Sequence, residues 1–112
     1  MNVLDITELQ GRLRDFADAR DWGRFHTPKN LAMALSVEAG ELVELYQWLT
    51  PDESCGAANE PKFKAALADE LADVLIYLIR LADVVDIDLP SAVDEKLAKN
   101  ERKHPPAVER SS

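Results

Sequence analysis

One cysteine is all this chain has. Cys55 cannot form an internal disulfide, and a reduced, intracellular and specifically cytoplasmic setting is expected. Basic residues are also few: 13 Lys and Arg against 21 Asp and Glu leave a formal charge of −8. That balance argues against general nucleic-acid binding and against docking on an anionic membrane. Phosphates stay within reach only if divalent cations reverse the local potential. Long apolar runs are missing too. Each is broken by charge well short of about 18 residues, so no membrane-crossing helix is expected. The opening residues carry acids at Asp5 and Glu8 and no apolar segment, so no secretory leader is expected either. There is no strand-like alternation, internal repeat, Gly-rich phosphate loop or Gly-x-Ser-x-Gly, and Cys55 has no histidine near it in sequence. Any hydrolytic chemistry should therefore use an activated water.

What the chain does have is helical periodicity. With 112 residues, 46% of them apolar, it is long enough for one folded domain, expected over 1–104 with a disordered tail over 105–112. Asp5-Ile-Thr-Glu8 reads as a capping box, followed by Ile6, Leu9, Leu13 and Phe16 at a 3.6-residue period to about Arg20. Thr27-Pro28 reads as an N-cap with proline in the first turn, opening a second helix to about Leu49. Residues 50–60 read as a polar loop. Pro61 opens a third helix to about Val85, and Leu89 a fourth to about Lys103. The expected fold is all-α, a four-helix bundle. Its second and third helices have apolar arcs too wide for one layer to cover, so a two-fold dimer is expected.

Four acids interrupt those arcs. At about 100° per residue, Glu38 falls between Leu45 and the Leu31, Leu42 and Leu49 line, and Glu70 falls between Tyr77 and the line of Phe63, Val74 and Leu81. Glu41 and Asp73 lie three residues further on, at the edge of the same stripes. A lone acidic pair at this spacing is usually solvated surface, as expected for Glu44, Asp69 and Asp83. Carboxylates inside an apolar stripe instead repel one another and resist desolvation, which a bound cation relieves. All-oxygen donors favour Mg²⁺, or Mn²⁺ in its place, with positions open to a nucleoside polyphosphate. A di-iron centre would need two inward Glu-x-x-His pairs, and only Glu101 to His104 is present.

Two further groups are candidates. Lys96, Asn100 and Lys103 share one face of the fourth helix and can meet phosphate oxygens, although an ordinary solvated face reads equally well. Trp22, Phe25 and His26 precede the second helix, Trp48 ends it, and Tyr77 follows Asp73 by one turn. Rings of this kind usually pack a core, yet beside a metal site they can sandwich a nucleobase. Lys29 and Asn30 can add polar contacts. His26 has no second imidazole to join it at a metal, and remains open as a base.

Glu38-x-x-Glu41 followed by Glu70-x-x-Asp73 resembles the signature of the MazG-like all-α nucleoside triphosphate pyrophosphohydrolases. Arg20-Asp-Trp22-Gly-Arg-Phe25-His26-x-Pro28-x-Asn30-Leu, Glu41-Leu-x-Glu44-Leu-x-Gln47-Trp48 and Asp73-Val-Leu-Ile-Tyr77-Leu are similar to the dCTP pyrophosphatase branch of that family, with a likeness spanning about residues 5–105. The resemblance implies Mg²⁺-dependent cleavage of a deoxynucleoside triphosphate to monophosphate and pyrophosphate. It implies metal ligation by Glu38, Glu41, Glu70 and Asp73; in metal-assisted hydrolysis at such a site, Glu38 or Glu41 is expected to accept the proton of the attacking water. Trp22, His26, Trp48 and Tyr77 would surround base and sugar, and Lys96 and Asn100 would match the phosphate-binding helix. It also implies a homodimer or homotetramer whose pockets are built partly from a neighbouring subunit. A broader or dUTP-directed pyrophosphatase, or a non-catalytic nucleotide-sensing bundle, are the alternatives.

Overall fold

The computed structural model describes residues 3–107. The part of the expected tail from residue 108 onward lies outside the described residues. The helices are α1 (Ile6–Ala19), α2 (Pro28–Tyr46), α3 (Pro51–Ala57), α4 (Pro61–Val84) and α5 (Leu89–Lys103), with a 3-10 turn at Gly23–Phe25; no strand occurs among the described residues. The all-α expectation holds, but the number of helices does not: there are five among the described residues.

Local chemistry starts each helix. Asp5 accepts from the Glu8 amide, Thr27 from Asn30, and Asp88 from Ser91. Each satisfies a first-turn N–H that has no partner within the helix. Pro28, Pro51 and Pro61 occupy first helical positions, where the missing N–H costs nothing. The extra helix arises the same way. Thr50 accepts from the Glu53 amide while the Glu53 carboxylate accepts from the Thr50 N–H, a full capping box. With seven residues and little apolar content, α3 shows no amphipathic period. That is why periodicity reads residues 50–60 as a loop, although Pro51–Ala57 is helical.

Two helices end alike. After α1 and after α4 the chain enters the left-handed region at Asp21 (φ 54°) and Asp86 (φ 58°). The amides of Trp22 and Ile87 then bond back to the carbonyls of Ala17 and Ala82, each at 2.9 Å. These are Schellman turns with aspartate in the place glycine usually takes. The first of them turns Trp22 back toward α4.

Helix α2 packs along α4, and α1 packs on α4 beside it. Leu31 and Ile79 are the large side chains fully buried in this layer, with Ala17 and Ala82 buried next to them. The radius of gyration is 17.9 Å, against about 13 Å for a compact domain of roughly 100 residues. Met33, Val37 and Val43 on α2, Leu71 on α4, and Val93 and Leu97 on α5 are exposed. One copy of the chain therefore leaves much of its apolar surface uncovered. No helix among the described residues is long and apolar enough to cross a membrane.

Candidate metal centre and the adjoining cavity

The i, i+3 pairs occupy single faces of α2 and α4, and the packing of these helices turns the faces toward each other. Glu38, Glu41 and Glu70 each offer an oxygen within 4.8 Å of the others. Asp73, one turn beyond Glu70, adds negative potential to both Glu38 and Glu70 and lines the neighbouring cavity.

The energetics of this arrangement are unfavourable for the chain alone. Burial, then hydrogen-bonding contact with Glu70 and Glu41 and the charges of Glu41 and Asp73, push the Glu38 carboxyl up to about 7. Glu70 is also raised, chiefly by burial and by Glu41 and Asp73, while its hydrogen bond with Glu38 pulls the other way. One oxygen of Glu38 and one of Glu70 are buried with no hydrogen-bond partner among the described residues. A buried carboxylate oxygen normally finds a donor. Two such oxygens, on carboxylates that stand with Glu41 in a 4.8 Å cluster, form a hard donor set that fits a divalent cation.

Beside the acids lies a cavity of about 320 Å³, with Phe16, Trp22, His26, Asp73, Tyr77 and Arg80 among its lining residues. The Schellman turn after α1 delivers Trp22, whose ring meets Phe16 edge-on at 5.6 Å and tilts against His26 at 6.2 Å. The 3-10 turn delivers His26. It is braced by Asn30, whose Nδ2 donates to the Phe25 carbonyl at 3.0 Å. One of the two side-chain N–H donors of Asn30 is thus committed to the backbone that carries His26.

The structure brings Trp22, His26, Tyr77 and Asp73 to one cavity next to Glu38, Glu41 and Glu70. It does not bring Trp48, Lys96 or Asn100 there within one chain. Trp48 is 86% exposed just beyond α2, and Lys96 and Asn100 lie on α5 outside the cavity lining.

Arg80 is the residue that sequence reasoning missed. It is 8% exposed, lines the cavity, and donates from Nε to His26 Nδ1 at 3.1 Å. Its other partner corrects a second expectation. Asp83 is not a solvated surface acid. Its side chain is 15% exposed, and it accepts from Arg80 at 3.3 Å and from Arg14 of α1 at 2.7 and 3.1 Å. The signal for Arg80 was present: a charge inside the apolar run Leu78-Ile-Arg80-Leu81, the same criterion that singled out the acids.

Residues 33–111 match the model of the MazG-like family. This chain belongs to the MazG-like family. Among similar proteins are the dCTP pyrophosphatase 1 proteins of Rattus norvegicus and Homo sapiens, 48% and 49% identical over 108 residues. The alignments cover 96% of this MazG-like chain, which spans 62% of the length of those relatives. Among solved structures, a pyrophosphatase from Archaeoglobus fulgidus is 43% identical with a TM-score of 0.85, covering 95% of this chain and 97% of that one. The MazG-like fold is therefore shared with a pyrophosphatase over nearly its full length.

Proposed function

We propose that this chain is a Mg²⁺-dependent nucleoside triphosphate pyrophosphohydrolase converting dCTP, or a modified dCTP, to dCMP and pyrophosphate. The observation that carries the reading is the pair of buried, unpartnered oxygens of Glu38 and Glu70 beside a cavity lined by aromatic rings. The names of the relatives supply the reaction and the base. Glu38, Glu41, Glu70 and Asp73 would hold Mg²⁺ (with Mn²⁺ as substitute), which when bound offsets phosphate charge and acidifies a water. Glu38 or Glu41 would accept the proton of the attacking water. Trp22 and Tyr77 offer flat faces to the base, and the volume suits a small ligand with a few directed polar contacts. Lys96 neutralises charge on the departing pyrophosphate, and Asn100 holds one of its oxygens. Lys96, Asn100 and Trp48 join the site in a homodimer or homotetramer, which also covers the apolar surface one chain leaves open.

The test is pyrophosphate release from dCTP with Mg²⁺, run against dUTP, 5-methyl-dCTP and the other triphosphates. Expected are dCMP and pyrophosphate in equal amounts, with dCTP or its modified form preferred, and abolition by chelation. Glu41→Gln should lower turnover by about a hundredfold or more while leaving helical content unchanged. Turnover retained in that variant, or release of inorganic phosphate alone, would refute the assignment. A folded wild type inert toward every triphosphate would favour the non-catalytic sensing bundle.

A further inference from the structure

The contact between Arg80 and His26 has a chemical consequence. A guanidinium N–H can only donate, so His26 Nδ1, at 3.1 Å from Arg80 Nε, must present its lone pair. A neutral imidazole carries one proton, which is then on Nε2. Rotating the ring by half a turn would put a carbon against Arg80 and lose the bond. The surroundings keep the ring neutral: burial and the Arg80 charge both hold His26 below the usual histidine range. Asp83 does not offset this at the imidazole, because it is engaged by Arg14 and Arg80 together. Arg80 is buried and tied on both sides, so its fork has little freedom to leave the ring.

We infer that Arg80 is a positioning residue: it locks His26 as the Nε2–H tautomer, making the imidazole a fixed hydrogen-bond donor in the cavity wall for an acceptor atom of the nucleotide. His26 is thereby excluded as a general base, since one ring nitrogen is occupied and the other already carries a proton. Base or sugar oxygens and unprotonated ring nitrogens suit such a donor, and an amino group does not. The identity of the ligand rests on the proposed function. The tautomer does not.

The wild-type protein, free of nucleotide and metal, is examined first by long-range ¹H–¹⁵N NMR of its two histidines, assigned with His26→Gln. His26 should show a protonated Nε2 and an unprotonated Nδ1 near pH 7. An Nδ1–H form at His26, or averaging between its two tautomers, would overturn the proposal. Because this measurement needs no substrate, its outcome is separate from whether dCTP is hydrolysed.

Two variants then connect tautomer to binding. Arg80→Met removes the donor; it should give mixed tautomers at His26 and raise KM for dCTP about tenfold with kcat little changed, the effect of one lost directed hydrogen bond. Arg80→Gln returns a neutral donor and should recover most of both. If Arg80→Met keeps a pure Nε2–H tautomer, or keeps the wild-type KM, Arg80 is not the positioning residue. Should Arg80→Met fail to fold, the wild-type spectrum and Arg80→Gln decide.

Discussion

Glu38 and Glu70, on facing helices, each bury one carboxylate oxygen that no donor among the described residues satisfies, and these two groups stand with Glu41 inside a 4.8 Å cluster. Both carboxyls are raised by burial first and by their acidic neighbours next. The chain therefore holds its own charges in a position that is costly until a cation enters.

A pH dependence follows. Glu38 moves from an ordinary 4.5 to about 7 on folding, so between these values the folded state keeps a proton that the unfolded state has released. In that window stability falls as pH rises, because the native state binds more protons. Thermal melts in chelator should show a decline through pH 5–7 that is flattened in Glu38→Gln. Saturating Mg²⁺ should raise the melting temperature more at pH 8 than at pH 5.5, where protons compete for the same oxygens. A metal-free melting curve that rises steadily over this range in wild type and variant alike would speak against the buried cluster.

The Arg14–Asp83–Arg80 chain predicts unequal costs. Asp83→Asn leaves a buried guanidinium short of its anion and should destabilise by about 1–2 kcal/mol. Arg14→Ala removes an ion pair whose cation is 54% exposed, and its loss should be clearly smaller. Urea midpoints of the two variants check the order; equal losses would mean Asp83 is valued for its partner on α1, not for Arg80.

Assembly is the third expectation. Val43 and Leu71 border an apolar groove on α2 and α4 and are themselves exposed. Light scattering should give a mass two or four times 12.5 kDa, and Val43→Glu with Leu71→Glu should lower it. A wild-type mass of one chain at micromolar concentration would leave Trp48, Lys96 and Asn100 without a route to the site.

Much of this was legible in the residues. Thr27-Pro28, Pro61 and Asp88 begin helices for reasons visible in sequence, and the acids stood out because charge interrupted an apolar period. Helix α3 was not legible by periodicity. A seven-residue polar helix has no stripe to detect, and its signature is the Thr50–Glu53 capping box alone. Asp83 was hidden for another reason: its role depends on α1 lying against α4, a tertiary fact that brings Arg14 to Asp83 across 69 residues. Trp22 and His26 fell between these cases. Their grouping was readable, but its orientation comes from the Schellman turn at Asp21.

The most direct test is anomalous diffraction from crystals grown with Mn²⁺. Density should lie among Glu38, Glu41, Glu70 and Asp73, with the buried oxygens of Glu38 and Glu70 among its ligands. Strong anomalous density elsewhere, with this cluster empty at millimolar Mn²⁺, would contradict the account.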